Sequence, residues 1–172
     1  MTWMPTPADA DVLARRAALA RAVNEELAVA GLPVVPNDTG LDRSVAVGAL
    51  VSVDPLDDES GGGVFVEWVT HFVLASAAMD ALSEGREGDP SLHLAGTVAS
   101  AMQDAIAEIL SAAGYTVAKD VNDMAPFQLQ VKSRQSGLSW RDWLDAQTAR
   151  REEALRETAN NRTPHARGEP PS

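Results

Sequence analysis

The sequence predicts an α+β domain of about four antiparallel strands with a long central helix packed across one face, in the order α-β-β-α-α-β-β-α. Apolar residues recur at helical spacing over residues 89–114 and at alternate positions over 44–53 and 127–132. Strands with one apolar and one polar face are typical of an antiparallel sheet covered on a single side. We expect one domain over 1–158, including a C-terminal helix over about 139–158, and a disordered tail over 159–172.

Composition narrows the class of protein. Apolar residues make up 45% of the chain and charged residues 23%, which is typical of a globular domain. Cysteine is absent, which excludes disulfides, thiolate metal sites and cysteine nucleophiles. There is no signal-peptide pattern and no uninterrupted apolar run of membrane length, so we expect a soluble cytoplasmic protein without membrane contact. Abundant Ala, and Arg in preference to Lys, indicate a GC-rich bacterial source.

Charge is distributed unevenly. Residues 1–133 carry 19 Asp and Glu and 7 Lys and Arg, a net charge of −12, whereas residues 134–172 carry a net charge of +1. An acidic body repels phosphate backbones, so nucleic acid is not an expected partner.

The first half of the chain predicts a helix followed by a hairpin. Thr6 is expected to cap the first helix, with Pro7 at its first position, and Gly31 to end it. Because Arg16 falls within the apolar side of this helix, the first turns are expected to face a partner surface or solvent while the stem of Arg16 covers apolar neighbours. Strands over 44–53 and 64–70 are then joined by an acidic, glycine-rich hairpin segment.

The long helix has the strongest pattern in the chain. A short helix over 72–82 precedes it, and glycines separate the two. Asp89 is expected to cap the long helix, Pro90 to begin it and Gly114 to end it. The predicted buried stripe contains Ala95, Val98, Ala99, Met102, Ala105, Ile106, Ile109, Leu110 and Ala113, and the predicted exposed face contains His93, Thr97, Ser100, Asp104, Glu108 and Ser111.

Two strands and a helix complete the predicted order. A weak strand covers 115–119, and a stronger one covers 127–132 with Phe127, Leu129 and Val131 on one face. In the last helix, Ser139 is the expected N-cap and Leu138 can pack on Trp143.

Trp140, Trp143 and Leu144 are the candidate partner-binding residues, since they share one face at the start of the last helix. The two tryptophans either dock this helix onto the sheet or form an anchor for a partner. The packing of Leu138 on Trp143 favours Trp143 as the internal residue and Trp140 as the exposed anchor. The same helix becomes charged after about one and a half turns, which favours partial docking.

A second set of residues suggests a metal site as the alternative. Glu67 and His71 are an acid and a histidine four residues apart, and the hairpin segment carries Asp54, Asp57, Asp58 and Glu59. These acids lack the alternating spacing of a calcium loop, and no nucleophile, phosphate-binding or dinucleotide motif occurs. No catalytic residue, metal ligand or cofactor is therefore assigned.

In element order, acidity and size the chain resembles the class of small dimeric secretion chaperones. The resemblance implies a dimeric, non-enzymatic protein-interaction module that binds a protein client or an assembly partner. The alternative hypothesis is a small metal-dependent enzyme or ligand-binding protein that uses Glu67, His71 and the acidic hairpin.

Overall fold

A computed structural model describes residues 6–36, 46–58, 61–119, 125–135 and 140–162. Within these ranges lie four helices and five strands. In chain order they are α1 (Ala10–Val29), β1 (Val34–Val35), β2 (Gly48–Asp58), β3 (Gly61–Val69), α2 (Phe72–Ser83), α3 (Pro90–Ala112), β4 (Tyr115–Ala118), β5 (Leu129–Arg134) and α4 (Trp140–Arg162). The chain divides into two compact units, Met1–Gln135 and Ser136–Ser172.

The strands form one mixed sheet in the order β1-β2-β3-β5-β4. β1 runs parallel to β2, and the other neighbours are antiparallel. The predicted α+β class is confirmed, but the sheet contains β1, which the sequence prediction lacked. β1 has only two residues, too few to show an alternating pattern, and the backbone carbonyl of Pro33 beside it accepts a hydrogen bond from the amide of Ala49 at 2.9 Å.

One face of the sheet carries the hydrophobic core. Ala49 and Val51 of β2 pair with Trp68 and Val66 of β3, which places these side chains on the same face. α1 packs against β1, β2 and β3, and α3 packs against β3 and β4. The buried cluster contains Ala20, Val23, Leu27, Ala49, Val51, Val64, Val66, Ile106, Ala107, Leu110, Ala113, Tyr115, Leu129 and Val131.

α3 agrees closely with its prediction. The Asp89 carboxylate accepts a hydrogen bond from the Ser91 amide at 2.9 Å and so caps the first turn. Gly114 has a φ of 87°, the left-handed conformation expected after a helix end. Ile106 and Leu110 are buried, and the six residues predicted on the opposite face are exposed, but Gln103 and Ala107, which the predicted stripe lacked, are buried as well. Helical periodicity therefore identified the core-facing side of α3.

The start of α1 differs from its prediction. The helix begins at Ala10, after Asp9, instead of just after Thr6. Residues 6–8 pair with the end of β2: the Ala8 amide donates to the Pro55 carbonyl at 2.8 Å, and the Asp57 amide donates to the Thr6 carbonyl at 2.8 Å. These hydrogen bonds to a distant strand satisfy the backbone amide and carbonyl groups of the segment. It therefore stays extended although its sequence resembles a helix start.

The β2–β3 hairpin is longer than predicted. β2 continues through a bulge between Asp54 and Asp58, and β3 starts at Gly61. Gly62 has a φ of 107°, and a Cβ atom there would lie 2.2 Å from the Leu56 carbonyl oxygen. Glycine is therefore required inside the paired strands, where the sequence prediction placed a loop.

β5 begins later than predicted. Residues 125–128 form a turn in which the Gln128 amide donates to the Ala125 carbonyl at 3.0 Å, so the strand starts at Leu129. Leu129 and Val131 are buried as predicted, but Phe127 lies in the turn and is exposed. The expectation that Phe127 belongs to the buried face is therefore wrong, because Pro126 at the second position favours a turn over a continued strand.

Candidate partner-binding site

The predicted partner-binding residues lie at the start of α4. The helix begins at Trp140, close to the predicted position, while the predicted cap Ser139 and the packing residue Leu138 lie outside the described residues. Spacings of three and four residues bring Trp140, Trp143 and Leu144 onto one helix face. All three are exposed. Within α4 the sequence thus predicted a continuous apolar surface of two indole rings and one leucine.

The prediction that Trp140 is exposed is confirmed, but the prediction that Trp143 is internal is wrong. Trp143, expected to be internal, is 64% exposed, whereas Trp140 is 42% exposed. The guanidinium carbon of Arg141 lies 4.8 Å from the centre of the Trp140 ring, within the range of a cation–π interaction. The neighbouring arginine therefore shields part of Trp140, and Trp143 offers the larger free surface.

The remainder of α4 is polar and has no buried residue. Residues 140–160 are all exposed or intermediate, and Leu155 is a further exposed apolar side chain. The helix extends to Arg162, past the predicted end near 158, and residues 163–172 of the predicted tail lie outside the described residues.

α2 presents a second apolar surface that the sequence analysis missed. We define the α2 stripe as Phe72, Ala75, Met79 and Leu82, which share one helix face by their spacing. Phe72, Met79 and Leu82 are 49%, 64% and 61% exposed. The buried residues of α2, Ala78 and Ala81, lie on the side that packs against α3.

A signal for this surface is present in the sequence. α2 contains one charged residue, Asp80, and is apolar on more than one side. A short helix can bury one side against its own domain, so apolar residues on a further side indicate a surface for another molecule.

An open groove runs along the exposed face of α3. It has a volume of about 660 Å³ and is lined by Leu92, His93, Gly96, Thr97, Ser100, Ala101, Asp104 and Phe127. The lining side chains on α3 are mostly small, and the Phe127 ring beside them is exposed. The groove is shallow and suits a packed side chain better than an enclosed small molecule.

Of the residues in the alternative metal site, His71 and Asp54 form hydrogen bonds within the fold, while Glu59 and the side chain of Asp58 lie outside the described residues. His71 caps α2, since its Nδ1 accepts a hydrogen bond from the Val73 amide at 3.3 Å. Glu67 lies within β3 opposite Leu50. The Asp54 carboxylate accepts from the Leu56 amide at 2.9 Å. Among the described residues, no three His, Asp or Glu side chains come together as a group that could hold a metal ion.

Arg16 makes contacts that the sequence analysis did not predict. Its Nη1 donates to the carbonyl oxygens of Asp54 at 3.1 Å and Leu56 at 2.5 Å, and its Nη2 pairs with the Asp57 carboxylate at 2.8 Å. The side chain is 16% exposed. Arg16 therefore joins α1 to the bulged hairpin, because the bulge turns two backbone carbonyls towards the helix.

No helix among the described residues is both long enough and apolar enough to cross a bilayer. Comparisons of the chain with protein-family models, with curated proteins and with solved structures find no match.

Proposed function

We propose that this chain is a non-catalytic protein-interaction module and that α4 carries its binding element. The observation that supports this proposal most directly is the exposed apolar face formed by Trp140, Trp143 and Leu144. Tryptophan dominates the binding energy of many protein interfaces because it buries a large rigid surface. Two tryptophans one turn apart on an exposed helix are costly in water unless a partner covers them.

The chemistry of α4 favours one mode of binding. Apolar residues at positions i, i+3 and i+4 are the pattern by which an amphipathic helix enters an apolar groove. The expected partner is a protein with a groove deep enough for the Trp143 indole.

A chaperone-like or assembly adaptor role is the form of this proposal that best fits the acidic part of the chain, residues 1–133. Residues 1–133 carry a net charge of −12, which favours basic or neutral clients over nucleic acid. The α+β order supports the resemblance to small dimeric secretion chaperones at the level of fold class.

The alternative, a metal-dependent enzyme or ligand-binding protein built on Glu67, His71 and the acidic hairpin, has weaker support. The Asp57 carboxylate is already paired with Arg16, and the Asp54 carboxylate accepts a hydrogen bond from the Leu56 amide. A metal ion would have to displace these contacts. Thermal melts with and without Mg²⁺, Ca²⁺, Mn²⁺ and Zn²⁺ test this alternative, since an ion that binds the folded state raises the melting temperature.

The interaction proposal is tested by comparing matched variants. Affinity capture from the native source uses the wild-type chain, Trp143→Ala, Leu144→Ala and the control Asp145→Ala, an exposed position that lies about 160° around α4 from Trp143. We expect one partner to bind the wild type and the control and to be lost from the other two.

Calorimetry with that purified partner then measures the loss. Trp143→Ala should weaken binding by at least about 2 kcal/mol, or roughly 30-fold, as for an interface hot spot. A partner that binds all four proteins equally would show that α4 is not the binding element.

A further inference from the structure

We infer that a pocket formed by α1, β3 and β5 is a binding site for a small monoanionic carboxylate, that is, a carboxylic acid with a short apolar chain. The pocket has a volume of about 380 Å³, and its lining residues all lie within Met1–Gln135. Pockets of this size commonly bind small molecules. The site is separate from α4 and does not depend on the function proposed for that helix.

The charged side chains that line this pocket are both positive. They are Arg16 and Lys132, and no Asp or Glu occurs among the described lining residues. Residues 1–133 as a whole carry a net charge of −12, so the pocket has the opposite sign to the domain around it. A cleft lined by one sign of charge concentrates ligands of the other sign. The pocket therefore favours an anion.

A bulge in β5 brings Lys132 to the pocket. Thr116 pairs with Ser133 and Val117 pairs with Val131, so Lys132 is the extra residue between these pairs. A bulge re-aims side chains relative to the regular alternation of a strand, and Lys132 lines the pocket together with its neighbour Val131. Among the described residues, Lys132 has no ion-pair partner. Its ammonium group therefore supplies the pocket with a positive charge that no described residue balances.

Arg16 and Gln130 supply two further hydrogen-bond donors. The described contacts of Arg16 with the hairpin use both hydrogens of Nη1 and one hydrogen of Nη2, so among these contacts the second Nη2 hydrogen has no acceptor. Gln130 Nε2 donates one hydrogen to the Gly62 carbonyl at 3.2 Å and has a second hydrogen for a ligand. Together with the Lys132 ammonium, these groups match the two oxygens of a carboxylate, which accept charge-assisted hydrogen bonds.

Two successive glycines keep these donors accessible. A Cβ atom at Gly62 would lie 2.9 Å from Arg16 Nη2, and a Cβ atom at Gly63 would lie 3.0 Å from Gln130 Nε2. A side chain at either position would thus occupy the space next to a donor. The charged end of Arg16 and the amide of Gln130 therefore both lie at the glycine side of the pocket.

Charge balance and the apolar lining define the class of ligand. The Arg16 charge is already balanced by the Asp57 carboxylate at 2.8 Å, which leaves Lys132 as the one unbalanced cation of the pocket among the described residues. A monoanion matches this single charge, whereas the second charge of a dianion would be repelled by Asp57. The apolar part of the lining consists of Leu19, Val64 and Val131. These side chains favour a ligand with a short alkyl chain over a fully polar anion.

Nuclear magnetic resonance titrations of the isotope-labelled full-length chain test this inference, with butyrate, acetate and sulfate as probes at neutral pH and constant ionic strength. Butyrate is ionised under these conditions. It should shift the amide signals of Gly62 and Gly63 with a dissociation constant of about 1–10 mM, since so small a ligand has few atoms that contribute binding energy. Acetate, which lacks the longer alkyl chain, should bind about threefold more weakly or worse. Absence of these shifts up to about 100 mM butyrate overturns the site, and tighter binding of sulfate than of butyrate overturns the ligand class.

The two lysines of the chain provide a matched pair of variants. Lys132→Gln should weaken butyrate binding by about tenfold or more, the effect of one charge-assisted hydrogen bond. The control Lys119→Gln removes the same charge from a residue that pairs with Asp104 outside the pocket, and it should leave butyrate binding unchanged. Lys132→Arg keeps the charge and should retain most of the affinity. Equal weakening by Lys132→Gln and Lys119→Gln would mean that only the net charge matters, and it would overturn the pocket as the site.

Discussion

Replacing Arg16 by Ala should destabilise the body of the protein by about 2–3 kcal/mol. The two hydrogen bonds to the carbonyls of Asp54 and Leu56 are charge-assisted and partly buried. Each contributes about 1 kcal/mol to stability, because in the variant water replaces part of the lost hydrogen bonding to these carbonyls. The ion pair with Asp57 adds less than about 1 kcal/mol, because that carboxylate is more than half exposed.

Urea denaturation followed by circular dichroism measures this change as a shift of the midpoint at constant slope. Arg16→Lys should recover less than half of the loss, since one ammonium group cannot reach both carbonyls and the carboxylate with the geometry of a guanidinium. Arg21, exposed on the same helix, provides the control, and Arg21→Ala should cost under about 0.5 kcal/mol. Equal effects of Arg16→Ala and Arg21→Ala would refute the proposed link between α1 and the hairpin.

Two further predictions concern packing. Because Ile106 is buried and Glu108 is exposed, Ile106→Ala should lower the free energy of unfolding by about 2–5 kcal/mol and Glu108→Ala by under about 0.5 kcal/mol. The same urea denaturation measures both changes, and equal small effects would contradict the assigned core. Gly62→Ala should destabilise the fold by more than about 2 kcal/mol because its Cβ would collide with the Leu56 carbonyl. The control Gly96→Ala in α3 meets no atom within 4 Å and should stabilise the fold by about 0.5–1 kcal/mol. A tolerated Gly62→Ala would show that the bulge is misplaced.

Helices whose signals are local could be predicted from the sequence. The α3 cap at Asp89, its end before Gly114 and its buried residue Ile106 depend on groups within one or two turns of each other. The end of α1 at Gly31 and the apolar face of Trp140 and Trp143 depend on equally short spacings. These features follow from backbone geometry and side-chain periodicity, which act without reference to the rest of the fold.

The remaining features depend on pairs of residues far apart in the chain. Thr6 stays extended because its carbonyl accepts a hydrogen bond from β2. Arg16 turns inward because the bulge in β2 presents the carbonyl groups of Asp54 and Leu56, which lie 38 and 40 residues later in the chain. The sequence shows that α2 is apolar on more than one side, but only the burial of Ala78 and Ala81 and the packing of α2 against α3 show which side is covered. Sequence periodicity locates apolar sides within a helix, but when a helix has two such sides, only the tertiary contacts decide which one the core buries and which one remains for another molecule.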